Sequence, residues 1–264
     1  MEGMPDSAGF SAQMREAGVD GALMISLAPH CFPVWAEAHT SGERLDNLFA
    51  WVESSPKLFP VYWINPTEDD ALDQVELAVK RGVRGFKCIC DHFYPGDSRA
   101  LGVFHAIAHS GKPLLFHSGI LWDGKDSSRY NRPAEFEALI GIVGLKFALA
   151  HISWPWCDEL IALYGKFQAA RNQSPNQVAE LFVDTTPGTP RIYREDALRK
   201  LFTVGYDVRD NVMIGSDQCT SRYKPDAVSD LVARDTNILR DLAVEGDVIR
   251  RVMCDNLERF LGLG

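Results

Sequence analysis

Several common signatures are missing from this chain. Its six cysteines include no C-x-x-C pair, which excludes a zinc ribbon and a thioredoxin-like redox motif. Basic residues are outnumbered: 27 Lys and Arg face 36 Asp and Glu, for a net charge of -9. That balance argues against nucleic acid or an anionic membrane as the main partner, and leaves a small molecule as the expected one. No apolar run approaches the roughly 20 residues of a membrane-spanning helix. No secretory signal and no disulfide-like spacing is present, so a reducing, cytoplasmic setting is expected. No Gly/Ser-rich linker or low-complexity block divides the 264 residues, so one domain over 1–264 is expected.

What the chain does have is a repeated alternation of short apolar runs and helix-like segments. Strand-like runs occur at Ala22–Leu27, Phe59–Ile64, Val83–Cys90, Pro113–His117, Lys146–His151, Leu181–Thr185 and Asn211–Ser216. Between and after them, helices are expected at Glu43–Ser55, from a Thr67 cap to Arg81, from Asp97 or Ser98 to His109, and at Asn131–Val143. Further helices are expected after Trp154-Pro155, at Arg191–Phe202, Asp226–Val244 and Asp247–Phe260. Nearly continuous apolar runs fit parallel strands buried on both faces, and their alternation with helices implies βαβ units. The expected fold is therefore α/β, of the (β/α)8 TIM-barrel type, which takes about 250 residues. Seven runs are one short of a closed barrel, and the deficit lies at the front. A helix at Ala8–Ala17, ended by Gly18, precedes the first recognisable strand.

Three polar residues close three of these runs: His117 after PLLF, His151 after KFALA, and Asp217 after NVMIGS. In a barrel of parallel strands they meet at the C-terminal mouth, where barrel enzymes do their chemistry. Imidazole and carboxylate converging there suggest a divalent metal or an acid/base site. The loops Ala28–Gly42, His92–Gly96 and Ser118–Tyr130 all follow strands and fall at the same mouth.

The stretches PLLFHSG, LAHISWPWCDE, LFVDTT, NVMIGSDQ and VMCDNLERFLGL, in this order, resemble the amidohydrolase-related family that includes aminocarboxymuconate-semialdehyde decarboxylase-like proteins. The resemblance runs from about Gly18 to the C-terminus. It implies a metal-dependent barrel whose ion, most often zinc, is held by a His-x-His pair on strand one, a His on strand five and an Asp on strand eight. By position His117 and Asp217 resemble the latter two ligands. His151 resembles the strand-six histidine that acts on substrate or metal-bound water, so His151 and Asp217 are the implied catalytic pair. The chain departs from the family by having no His-x-His, a pair that belongs to the strand also missing. Two readings stay open: the coding sequence starts upstream of Met1, or the strand has been lost. In the second case metal binding would be weak or absent, because catalytic zinc usually keeps three protein ligands.

Other residues are candidates for substrate contact: Lys87 inside the run GFKCIC, Trp154, Asp184 at the end of LFVDT, and Arg191, Arg194 and Arg222, whose forks suit a carboxylate. His30 and Cys31 would be substitute ligands if the strand is lost, whereas His39, His105 and His109 read as remote from chemistry. The leading expectation is a metal-dependent hydrolase of a small molecule. Non-oxidative decarboxylation of an aromatic or unsaturated acid is the alternative. A catalytically impaired barrel used as a binding module, and a homodimer that covers an open barrel edge, complete the expectations.

Overall fold

In the computed structural model, residues 6–29 and 39–263 are described. The short apolar runs form seven strands: β1 (Ala22–Ile25), β2 (Leu58–Trp63), β3 (Gly85–Cys88), β4 (Leu114–Phe116), β5 (Lys146–Leu149), β6 (Glu180–Asp184) and β7 (Val212–Met213). All pair in parallel and in chain order, β1 at one edge and β7 at the other. The register places Leu23, Phe59, Lys87, Leu115, Ala148, Phe182 and Asp184 on one face of the sheet. Leu23 of β1 and Met213 of β7 belong to one apolar cluster with Leu115, Ala148 and Phe182. Opposite edges share a core only if the sheet curls, so this face is the inside of an incomplete barrel. Among the described residues no strand lies between β1 and β7.

The outward face carries Tyr62, Phe86, Phe116, Phe147 and Val183 into the larger core beneath the helices. Those helices are α1 (Ser7–Glu16), α2 (Ser41–Val52), α3 (Ala71–Arg81), α4 (Ser98–His109), α5 (Cys157–Gln173), α6 (Arg191–Thr203) and α7 (Pro225–Asp241), followed by α8 (Gly246–Arg250) and α9 (Asn256–Leu261). Phe116 on β4 meets Phe104, Phe136 and Phe147 edge to face, at centroid distances of 5.2, 4.9 and 6.1 Å. Each such buried ring contributes about 1.5–3 kcal/mol. This aromatic chain fixes β4 and β5, the strands that lead to His117 and His151. At the opposite end of the barrel α9 plugs the interior. Phe260 packs on Phe182, Arg259 pairs with Glu180, and Asn256 donates to the Val212 carbonyl at 2.8 Å.

The differences from the sequence expectation are local. The segment Asn131–Val143 is not a regular helix but two 3-10 stretches, Ser128–Asn131 and Pro133–Leu139. Pro133 has no N–H for a continuous ladder, and Asn131 turns inward to donate to the Cys90 carbonyl. Thr67 does not cap α3, whose N-cap position is Asp70; its hydroxyl contacts Asn65 and His92. The helix α2 starts two residues early because Thr40 and Glu43 form a capping box. The last helix is broken by a π-turn at Arg251–Asp255.

Candidate active site at the barrel mouth

The strand ends and the loops that follow them carry the candidate residues to one place. Lys87 points inward from β3, and His117 and His151 follow β4 and β5. Asp184 ends β6, and Asp217 follows β7. The rings of His117 and His151 lie with centroids 4.9 Å apart. Lys87, His117 and Asp184 are buried and His151 is half-buried, whereas Asp217 is exposed as a residue although protein atoms crowd its carboxyl group. The site is thus graded in depth, with Lys87 on the floor and Asp217 at the entrance. His117, His151 and Asp217, which close three apolar runs in the sequence, lie at this end of the barrel, His151 within electrostatic reach of Asp217.

Three glycines let the loops close on these groups. A Cβ on Gly119, which has φ +106°, would stand 2.4 Å from the Trp154 carbonyl oxygen, so the loop after β4 packs against the loop after β5. The contact is secured by Ile120 N–H donating to that carbonyl at 3.1 Å, and by the Ser153 hydroxyl donating to Ser118 Oγ at 2.8 Å. Gly188 leaves room for His151, whose own Cβ lies 2.7 Å from where a Gly188 Cβ would stand. Gly215 leaves room for the Thr186 hydroxyl. His151 and Asp217 both adopt left-handed backbone, at φ +62° and +52°, which turns each side chain away from its strand's alternation.

Hydrogen bonds settle the imidazole tautomers, because a carbonyl can only accept. His151 Nδ1–H donates to the Pro187 carbonyl at 2.9 Å, which leaves Nε2 as the basic nitrogen. His117 Nε2–H donates to the Ile120 carbonyl at 3.2 Å, which leaves Nδ1 as the acceptor. Asp184 accepts from the Thr186 backbone N–H at 2.8 Å and from the Thr186 hydroxyl, so one of its oxygens organises the loop after β6.

Burial sets the charge states. Desolvation, with the nearby His151 and Lys87, holds the His117 pKa well below the ordinary histidine range. Desolvation lowers the Lys87 pKa, opposed by the carboxylates of Asp217 and Asp184. Desolvation raises the Asp217 pKa, opposed by His151 and Lys87. The His117 shift has a consequence for stability. The unfolded chain takes a proton on this residue near pH 6.5, whereas the folded chain does not until much lower pH. Below about pH 6.5 the unfolded state binds the extra proton, and stability falls as pH drops, by about 1.4 kcal/mol per pH unit for one full proton. His117→Gln should flatten this acid-side decline in denaturant unfolding measured between pH 7 and 5. Parallel declines in both proteins would contradict it.

The substrate candidates divide. Asp217 borders an open cavity of about 290 Å³ that Arg191 also lines. Arg234 lines the same cavity and was not foreseen; it sits mid-helix on α7 with no local motif to mark it. Trp154 stacks on Tyr193, centroids 6.5 Å apart, and forms a half-buried wall near the entrance. Arg222 is exposed in the turn Thr220–Arg222. Arg194 is not open to a ligand. It is 1% exposed, paired with Asp235, and bonded to the Thr185 carbonyl. Its guanidinium serves the fold by holding the end of β6. His105 and His109 face solvent on α4, and His39 precedes α2, away from this cluster. His30 and Cys31 lie outside the described residues.

The donor set does not complete a metal site. Among the described residues no three His, Cys, Asp or Glu side chains come together as metal donors. His117 and Asp217, the two implied ligands, stand without the third that catalytic zinc usually takes. Lys87, His117, His151 and Asp217 together form a cluster of proton donors and acceptors.

No protein-family model and no curated protein matches the chain. Solved structures do. An uncharacterised TIM-barrel protein from Bordetella bronchiseptica has a TM-score of 0.66 and 15% identity, over 96% of this chain and 82% of that one. A 2,6-dihydroxybenzoate decarboxylase from Rhizobium has a TM-score of 0.62 and 11% identity, over 96% and 87%. A probable 2-pyrone-4,6-dicarboxylic acid hydrolase from Acinetobacter baumannii has a TM-score of 0.62 and 9% identity, over 97% and 89%. These likenesses show the fold: the chain is an α/β barrel of the TIM type, with seven strands among the described residues.

Proposed function

We propose that this chain is a hydrolase of a small carbonyl compound, an ester, lactone or amide, working at the barrel mouth by general acid/base catalysis. The observation that carries the reading is the bond from His151 Nδ1–H to the Pro187 carbonyl. It fixes the tautomer that leaves Nε2 as a base, on a ring beside that of His117 and within electrostatic reach of Asp217. In this reading His151 Nε2 takes a proton from the attacking water as its oxygen bonds to the substrate carbonyl carbon. The Asp217 carboxyl group is partly desolvated by the atoms crowding it, which raises its pKa, so it holds a proton at higher pH than an ordinary carboxylate. It gives that proton to the leaving oxygen or nitrogen. In this reading Lys87, on the inward face of β3, donates an N–H to the developing oxyanion. Neutral His117 packs beside His151 without adding a second positive charge. A divalent ion at this mouth would need donors beyond His117 and Asp217.

Arg191 and Arg234, on the cavity beside Asp217, favour an acidic substrate, and with it a second reading: decarboxylation of a small carboxylic acid at the same mouth. One screen separates the two. Small esters, lactones and cyclic amides are assayed for hydrolysis, with carbon dioxide release from arylcarboxylates measured in parallel. Hydrolysis by the native chain that is lost in Asp217→Asn is the expected result. Hydrolysis unchanged in Asp217→Asn would remove Asp217 from the mechanism, and carbon dioxide release alone would favour the second reading.

A further inference from the structure

Lys87 is the least ordinary group in the mouth. It lies on the inward face of β3, paired in register with Trp63 on one side and Leu115 on the other. It is 8% exposed, and among the described residues its side chain makes no hydrogen bond and no ion pair. A lysine so largely withdrawn from water is normally paired. The groups around it, Asp217, Asp184 and His117, sense its charge from a distance. The arrangement suits an amine that works in its neutral form, at the bottom of a site whose other members move protons.

We propose that Lys87 is an amine nucleophile that forms an imine with an aldehyde or ketone entering the mouth. The Nζ lone pair bonds to the carbonyl carbon as the C=O π pair moves to oxygen, which takes a proton from Asp217. The nitrogen of this carbinolamine gives a proton to His151 Nε2. The hydroxyl then leaves as water, taking back the proton held on His151, as the nitrogen lone pair forms C=N; the resulting iminium gives its N–H proton to the Asp217 carboxylate, which restores both groups. The net change is one carbonyl compound and one amine to one imine and one water, with no oxidant or reductant. Burial favours the reactive form, since desolvation lowers the Lys87 pKa, whereas an exposed lysine near its usual value of about 10.4 is almost wholly protonated at pH 7.

Trapping tests this directly. The native chain is incubated near pH 7 with acetaldehyde, and separately with pyruvate, in the presence of cyanoborohydride, which reduces an imine to a stable secondary amine. Intact mass and peptide mapping should show a first adduct, one per chain, on Lys87. Exposed lysines such as Lys125 and Lys224 should react later. Lys87→Met should lose the early adduct while keeping a native circular dichroism spectrum. Early modification of exposed lysines with Lys87 bare under both probes would overturn the proposal, and because that result is read from the native chain it does not depend on the variant folding. The inference rests on the mouth being the reactive site, but the two readings fail separately. Hydrolysis without a Lys87 adduct removes only the imine, and an adduct without hydrolysis removes only the hydrolase.

Discussion

His151→Ala is expected to lower kcat on the best substrate of the screen by about 10²- to 10⁴-fold, the usual contribution of a positioned general base. KM should change little, because the imidazole meets the attacking water and not the substrate's distal groups. Added imidazole should restore part of the rate, since the Gly188 backbone that makes room for the ring remains in place. A structural role predicts otherwise. If His151 only tied the β5 loop to Pro187, the variant would lose stability, and imidazole would restore no rate. Measuring kcat and KM with and without imidazole decides between these outcomes.

The largest expected effect on stability lies elsewhere, at the pair of Arg194 and Asp235. Both residues are 1% exposed. Arg194 Nε donates to Asp235 Oδ1 at 3.2 Å, a second guanidinium nitrogen also pairs with Asp235, and that nitrogen bonds the Thr185 carbonyl. Asp235→Ala leaves a guanidinium buried without its counter-charge, and removal of one partner of such a pair costs about 3–5 kcal/mol. Urea unfolding should show a loss of that size. A loss below about 1 kcal/mol, typical of an exposed pair, would contradict the burial of this one. The pair also bears on function. Thr185 neighbours Asp184 and begins the loop through Pro187 and Gly188 that seats His151, so α7 supports the active site through Arg194.

The same pair shows where sequence reasoning stops. Arg194 looked like a carboxylate anchor because it opens a helix after a strand. Its partner is 41 residues away, and nothing local announces it. The same holds for Pro187, whose carbonyl sets the His151 tautomer, and for Arg234, which reaches the cavity from the middle of α7. Backbone acceptors and long-range pairings leave no pattern in a single chain. The strands were legible because burial on both faces demands continuous apolar runs such as LFVD. His117, His151 and Asp217 were legible because a polar residue that closes such a run must meet the others at the mouth of a parallel barrel. Helix starts were less legible. Thr67 had the chemistry of a cap, but its hydroxyl is engaged with Asn65 and His92, and α3 begins only at Ala71. The run at Asn131–Val143 had helical length, yet Pro133 and the inward-turned Asn131 hold it in 3-10 geometry.

The histidine pair at the mouth is the proposed reactive centre. Its most direct test is the hydrolysis screen run on the native chain beside a His117→Ala/His151→Ala double variant whose fold is verified by circular dichroism. The account predicts turnover by the native chain and no rate above the buffer background in the double variant. Equal rates in the two proteins, or no turnover of any substrate class by the native chain, would contradict it.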